Sequence, residues 1–471
     1  MRTFPILALG LLLTLRTWSQ VTLQCDFTDP AARGKPMEYH WDIYNRISPM
    51  KPCNPTGNPN GGLCVVRPLG GKALGGRMLI EEDTYKFDGN RYYYDWAPLK
   101  KQLDNAMARG RIHQLVLDNP SWAFQRGIDR GGRPETDTYG NAWPPNDPEA
   151  WAKYIEAMLE ELIKLYGRQE VAGWRYGIGR EIGTSGHWQA SKESFFQHYE
   201  NTVRAVRRVL PNAKVGSHFL WATSKHSWGP DFVAYCKERN VPYDFVGMSF
   251  YPFYNQLDRV DLDKVYEKDI APIKDRPDWN PKAAFEIHEF ALIISMGGKG
   301  SSYKSAPPEY QASFAVMLQE MMYEHGISTV FQWGTGPSKA ATTEAFLPMK
   351  GDLFYSHAKH GKPLNKGNKV GAVFARNSEK NRYSLVASNY NADPTSLSAE
   401  ALTFKITLPE PVGKNVTYRV GTYQKSGDRL AWTGWASETT TATGTGSQSE
   451  LVLHANIPVF SILKFEIVAE K

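Results

Sequence analysis

Two neighbouring stretches decide how this chain folds: Asp147-Pro-Glu-Ala-Trp-Ala-Lys-Tyr-Ile-Glu-Ala-Met-Leu-Glu-Glu-Leu162, and then Trp174-Arg-Tyr-Gly-Ile-Gly-Arg-Glu181. The first opens with Asp followed by Pro, a helix start in which the proline sits where no helical N–H is needed. Its apolar residues then recur at helical spacing. The second is a short apolar run that ends on a charged residue, as a strand running out to a sheet edge does. Helix followed by strand is one unit of an α/β repeat, and the same alternation extends from about residue 35 to 345. The strand candidates are Tyr39–Arg46, Gly76–Ile80, Ile112–Asp118, Gly173–Gly179, Lys214–Leu220, Phe245–Tyr251, Ala283–Phe290 and Thr329–Trp333. Helical patterns fall between most of them, as in Glu309-Tyr-Gln-Ala-Ser-Phe-Ala-Val-Met-Leu-Gln-Glu-Met-Met322. Eight strands alternating with helices predict a closed parallel (β/α)8 TIM barrel. An open doubly wound sheet is the rival, but no Gly-rich phosphate loop follows the first strand.

After about residue 350 the helical period stops. Alternating runs take over at Lys369–Ala375, Arg382–Ser388, Ala401–Leu408, Val416–Tyr423, Glu450–His454 and Ser461–Val468, separated by Gly, Asn, Asp, Pro and Ser. These predict an all-β sandwich, with the Thr/Gly/Ser-rich tract Thr439–Ser449 as a mobile hairpin tip. The run Val21–Phe27 is placed to join it as a further strand. The expected organisation is therefore a leader over 1–19, an N-terminal strand segment over 20–34, a barrel over 35–350 and a β-sandwich over 351–471.

The leader is read from Arg2, the apolar stretch Phe4 to Leu15 and the small residues of Thr17-Trp-Ser19, which together resemble a secretory signal peptide. The apolar run is short for a membrane span, and no later segment is long and apolar enough to cross one. A secreted or periplasmic protein, with no membrane association after leader removal, is expected. In an oxidising compartment, Cys53 and Cys64 flank a Pro/Gly/Asn-rich loop and are candidates for a disulfide. Cys236 reads as a buried thiol, and Cys25 is left undecided. At 471 residues the chain exceeds one ordinary domain, and its net charge of +6 is too small to predict a nucleic-acid partner. Aromatics reach 13%, including 14 Trp and 24 Tyr, which suits large cores and sugar-stacking surfaces alike.

Two glutamates carry the chemistry. Glu181 ends one strand candidate, and Glu289 ends another, Ala284-Phe-Glu-Ile-His-Glu289-Phe-Ala. In a parallel barrel both strand ends open on the same mouth, where barrel enzymes react. Two carboxyls across one gap divide into acid/base and nucleophile roles, as glycoside cleavage requires. Glu286 is a rival nucleophile, but strand alternation turns it away from Glu289. A metal-dependent barrel hydrolase would need His-x-His on the first strand, and His40 stands alone. The reading calls for no metal and no cofactor.

With these residues in place, the chain resembles the retaining glycoside hydrolases of clan A, and within it family 39, whose founding members are β-xylosidases and α-L-iduronidases. The family's acid/base motif, Trp-x-Phe-Glu-x-Trp-Asn-Glu, is similar to Trp174-Arg-Tyr-Gly-Ile-Gly-Arg-Glu181, and its nucleophile motif to Ile287-His-Glu289-Phe-Ala. The resemblance implies that Glu181, on the fourth strand, is the acid/base, and that Glu289, on the seventh, is the nucleophile. It implies that Tyr251, at the end of the sixth strand, hydrogen-bonds the nucleophile, and that a β-sandwich follows the barrel. Trp333 is the candidate platform for the sugar. Asn119, Trp122, His218, Trp221, Trp41 and Asn45 are further candidates for the pocket wall, and His288 for packing behind it. For the acid role, Glu181 is expected to have a raised pKa through burial and the nearby Glu289 charge.

One departure stands out. Where the clan has Asn before the acid/base, this chain has Arg180. Arginine accepts no hydrogen bond and carries a fixed charge. With Arg126, Arg130, Arg133 and Arg175 nearby in sequence, it suggests an anionic oligo- or polysaccharide partner, such as a carrageenan- or agar-type galactan. A neutral β-xyloside or β-galactoside is the alternative substrate, and a silent glycan-binding protein the alternative function. The sequence leaves exo or endo action and oligomeric state open.

Overall fold

The helix after the third sheet strand begins as its sequence dictates. In the computed structural model, Asp147 caps Pro148–Tyr166 by accepting from the N–H groups of Glu149 and Ala150, both at 3.0 Å. The apolar stripe Trp151, Tyr154, Ile155, Met158, Leu159 and Leu162 is buried in the core of the α/β domain, each large side chain contributing roughly 1.5–3 kcal/mol. The structure describes residues 21–37, 40–43, 45–46, 64–66, 73–74, 77–78, 84–107, 112–117, 120–125, 141–184, 186–220, 227–252, 261–295, 304–327, 329–332, 345–362, 367–393, 395–413, 415–426, 429–444 and 447–468.

The parallel sheet is ordered His40–Ile43, Thr329–Gln332, Ala284–Phe290, Phe245–Phe250, Lys214–Phe219, Arg175–Ile182, Ile112–Val116, Cys64–Val66 and Asn45–Arg46. Its first and last members are separated by a single residue of chain, so the sheet curls until its order returns to the segment where it began. Counted along the chain, Arg175–Ile182 is the fourth strand and Ala284–Phe290 the seventh. One strand expectation is overturned. Arg77–Met78 pairs antiparallel with Ala73–Leu74 in a small hairpin, and the second strand of the parallel sheet is Cys64–Val66, paired with Ile112–Val116. The apolar run near residue 78 has strand composition, but pairing partners decide membership of a sheet. Because one strand replaces another between the same neighbours, the count to Glu181 and Glu289 is unchanged.

Past residue 350 two antiparallel-rich sheets face one another. The smaller is ordered Ala358–Gly361, Val21–Asp26, Ala399–Leu408, Ser449–Pro458. The larger is ordered Arg33–Pro36, Leu353–Tyr355, Asn368–Asn377, Arg382–Asn391, Ser461–Val468, Asn415–Ser426, Arg429–Trp432. Leu23, Phe404, Leu453, Leu385 and Phe465 belong to one buried cluster between them, as period-2 alternation on facing sheets requires. Val21–Asp26 pairs parallel with Ala399–Leu408, from Val21 opposite Leu402 to Asp26 opposite Thr407. The tract expected as a hairpin tip is partly strand: Ala436–Thr441 pairs with Asn415–Ser426. Cys25 lies buried in this core, Cys236 in a helix of the α/β domain, and both are free thiols. Burial pushes both thiols up, which keeps them protonated and unreactive. Among the described residues, no helix is long and apolar enough to cross a membrane.

Candidate functional site

Glu181 is set by an irregular strand end. Ile178 pairs with Ser217 and Ile182 with Phe219, so the fourth strand carries two more residues than its neighbour over this interval. The slack is taken up in left-handed backbone at Gly179 (φ 77°) and Glu181 (φ 45°). Only glycine suits position 179, since a Cβ there would also lie 2.6 Å from Ile182. A non-glycine residue held at positive φ costs about 1–3 kcal/mol, a strain that concentrates at functional sites.

Both Glu181 oxygens are engaged. Ser249 Oγ donates to Oε1 at 2.7 Å, and His187 Nε2 lies 3.2 Å from Oε2. The serine oxygen is also 2.9 Å from His218 Nε2. Burial alone would raise the proton affinity of Glu181. The His187 hydrogen bond, followed by the influence of His187, the neighbouring His218 ring and the Arg180 charge, reverses this and holds the carboxyl below its ordinary range. The expectation of a raised pKa therefore does not describe the free site, because hydrogen bonds to the charged form outweigh desolvation.

Glu289 lies on the seventh strand, opposite Ser249 in the pairing of the sixth and seventh strands. Ser249 thus stands beside one glutamate along the sheet and bonds the other through its side chain. Tyr251 Oη donates to Glu289 Oε2 at 2.5 Å. Arg180 Nη1 is 3.8 Å from Glu289 Oε1, so its charge faces the second carboxylate. Glu181, Glu289, Arg180, Tyr251 and His218 accordingly meet at one end of the sheet.

Glu286 occupies a different environment, though not for the reason of simple alternation. Met248 pairs with Ile287 and Ser249 with Glu289, leaving His288 as an extra residue that breaks the period of two. Glu286 is buried in an ion pair with Arg175 at 2.6 Å and bonded to His288 Nε2 at 2.7 Å. Arg175 also stacks over Phe245, 4.0 Å from the ring centre. Burial pushes the Glu286 carboxyl up, but Arg175 and His288 more than offset it, bringing it down to about 2. Its charge is already satisfied by the floor of the sheet.

The remaining sequence candidates are placed unevenly. Trp41 is on the first strand and Trp122 in the short helix Trp122–Gln125, both described in backbone only. Asn119, Arg126, Arg130, Arg133, Trp221, Trp333 and Cys53 lie outside the described residues, as does the 1–19 leader. Asn45 and Cys64 are described in backbone only, so the Cys53–Cys64 pairing also falls outside them. His187 and Ser249 escaped the sequence reading. Ser249 had a signal: it is polar in an otherwise apolar strand, two residues before Tyr251. His187 sits in a loop with no period to mark it.

A second titratable cluster lies where the two domains meet. Helix Pro308–Glu324 packs on the larger β-sheet through Ser388 Oγ, which donates to Ser313 O at 2.8 Å. A pocket of about 450 Å³ there is lined in part by Glu320, Glu324, His357, Lys359 and Asp263. Ligand atoms of Glu320, Glu324 and His357 lie within 4.8 Å of one another. Glu320 is already met by His357 at 3.1 Å, Lys359 at 3.5 Å and the Ala372 N–H at 3.1 Å. The Lys359 charge and the contacts with His357 and the Ala372 N–H thus offset this carboxylate. Glu324, at the pocket mouth, is pushed up to about 7 by desolvation and then by the Glu320 charge. A folded-state value above the ordinary 4.5 favours folding below pH 4.5, and that contribution is lost as pH rises through 7. Glu324→Gln should match wild type in thermal unfolding at pH 4.5 and exceed it at pH 8; equal midpoints at pH 8 would refute the assignment.

Comparison with known proteins now fits onto this geometry. The profile described as "Glycosyl hydrolases family 39" matches residues 124–271. An α-1,4-L-rhamnosidase of Formosa agariphila is 43% identical over 469 residues, covering 97% of this chain and 95% of the relative. A β-xylosidase of Geobacillus stearothermophilus is 37% identical over 195 residues, 40% of this chain and 38% of that protein. Among solved structures, a monomeric β-xylosidase from Caulobacter crescentus matches with a TM-score of 0.61 at 16% identity, covering 96% of this chain and 100% of its own. A GH39 enzyme from Xanthomonas axonopodis pv. citri matches at 0.59 and 15% identity, covering 95% and 97%. Those structures share the fold, an α/β domain of the TIM-barrel kind with a β-domain attached. The family match and the relatives define a glycoside hydrolase. The chain belongs to glycosyl hydrolases family 39.

Proposed function

We propose that this protein is a retaining α-L-rhamnosidase that cleaves rhamnose-containing oligo- or polysaccharides by double displacement. The observation that carries the substrate is the 43% identity with an α-1,4-L-rhamnosidase over nearly the whole of both chains. In this reading the curled sheet is a closed (β/α)8 barrel, and Glu289 attacks the anomeric carbon to form a glycosyl-enzyme. Tyr251 and Arg180 face Glu289 and aim it. Glu181 protonates the departing oxygen, then takes a proton from the incoming water. Because the free site holds Glu181 below the ordinary carboxyl range, substrate entry must raise its proton affinity by excluding water and loosening the donors on its oxygens.

The galactan expectation is replaced. The relatives point to a rhamnoside or a xyloside, and Arg180, whose charge faces Glu289, no longer calls for a sulfate or carboxylate on the sugar. The Phe4–Leu15 run after Arg2 supports export to the periplasm or the medium. The neutral alternative, a β-xylosidase, is favoured by the partial match to the Geobacillus enzyme. A panel of α-1,4-linked L-rhamno-oligosaccharides, β-xylosides and sulfated galactans, followed by ¹H NMR of the first anomer released, decides between them. Rhamnose released with retained configuration is expected. Xylose alone would establish the alternative, an inverted anomer would overturn double displacement, and binding without cleavage would indicate a silent glycan-binding protein.

A further inference from the structure

Glu181 is held from behind by a short relay that crosses three neighbouring strands. Ser249 on the sixth strand donates to Oε1 at 2.7 Å. His218 on the fifth strand places Nε2 2.9 Å from the serine oxygen. Ser249 is 0% exposed and His218 1%, so bulk water does not compete for these contacts. The His218 ring rests edge-on against His288, with centroids 5.0 Å apart. That contact depends on Gly247, where a Cβ would come within 2.3 Å of His288 Nδ1. We propose that Ser249 and His218 are positioning residues for Glu181: together they orient its carboxyl and decide whether it waits ionised or protonated. The inference rests on Glu181 being the acid/base.

The polarity of the relay follows from its donors. A serine hydroxyl has one proton and gives it in one direction at a time. His218 is neutral, because burial, followed by the neighbouring His288, pushes its proton affinity well below that of an ordinary histidine. With the proton on Nε2, His218 donates to Ser249 and Ser249 donates to Glu181, which favours the carboxylate. With the proton on Nδ1, Nε2 accepts from Ser249, whose oxygen can then accept from a protonated Glu181. The relay fits both states that a retaining acid/base visits, and with Ser249 donating to Glu181 it favours the ionised one.

Other charged and titratable groups surround this carboxyl. Arg180 is on its own strand, and His187 follows in the next loop. His218 faces it from the fifth strand, while Tyr251 follows the sixth. Glu286, His288 and Glu289 lie on the seventh strand, with Arg175 bound to Glu286. The Ser249–His218 relay reaches Glu181 through a hydroxyl whose loss changes no formal charge. Its removal therefore isolates the hydrogen bond.

The test is the pH profile of kcat/KM, whose basic limb reports the free enzyme's acid. The substrate is an unactivated glycoside that the wild-type enzyme cleaves, so that the acid is required. Ser249→Ala removes a donor to the ionised carboxyl, and the basic limb should move up by about one pH unit. Ser249→Thr should restore the wild-type limb, and Ser249→Cys, nearly isosteric with a weak donor, should fall between. A lower rate at every pH with an unmoved limb in both Ala and Cys variants would overturn the inference. Glu181→Ala separates this from failure of the underlying assignment. If Glu181 is the acid/base, that variant loses activity mainly on unactivated glycosides, and azide restores turnover of an activated aryl glycoside. Without that pattern the acid/base assignment itself falls, whatever Ser249 does.

Discussion

Glu289→Gln should lower kcat/KM by about 10⁴-fold or more, the scale on which removal of a reacting group acts, while the protein stays folded. An amide at this position still accepts from Tyr251, so the bond at Glu289 Oε2 has a neutral equivalent. What it cannot do is attack the anomeric carbon and leave again as a carboxylate. Arg180, 3.8 Å from Oε1, also loses its counter-charge, which adds to the loss without supplying a nucleophile. A 2-deoxy-2-fluoro glycoside should accumulate as a covalent adduct on the peptide carrying Glu289, detectable by mass spectrometry. Activity near wild type in Glu289→Gln, or an adduct on Glu286, would overturn the assignment.

The largest stability effect is expected beneath the site. Arg175→Met should destabilise the protein by about 3–5 kcal/mol, the cost of leaving one member of a buried ion pair without its partner. Glu286 is the group left behind, buried and 2.6 Å from where the guanidinium was. The double variant Arg175→Met/Glu286→Leu should recover most of that loss, because no charge then remains to be desolvated. The pH dependence has a definite sign. Glu286 titrates at about 2 in the folded protein against an ordinary 4.5. Its contribution is present above pH 4.5 and is lost as pH falls toward 2. Urea unfolding at pH 7 and pH 3 checks both statements. An Arg175→Met penalty at pH 7 no larger than at pH 3 would show that the pair carries little of the stability.

What the sequence disclosed and what it hid divide along physical lines. Helices such as Pro148–Tyr166 were legible because a cap and a long apolar stripe act locally. Strand order was legible through repetition, which also places Glu181 and Glu289 on the fourth and seventh strands. Cys64–Val66 was hidden because three residues carry no period. Glu286 was separated from Glu289 by assuming strict alternation, and the extra residue at His288 breaks that rule. Arg180 was noticed for its charge, but a linear pattern cannot show which carboxylate a long side chain reaches. Ser249 and His187 were missed because each acts through a partner far away in sequence.

Ala399–Leu408, the parallel neighbour of Val21–Asp26, is synthesised nearly 400 residues after it. That pairing therefore cannot close until this part of the β-domain exists. The α/β portion must assemble with this segment still unmatched, exposing a strand edge of the kind that invites wrong pairing. Sequence separation this long makes the last joining step slow. The chain is consequently aggregation-prone until that pairing closes, and removing the C-terminal β-domain would orphan the N-terminal strand as well.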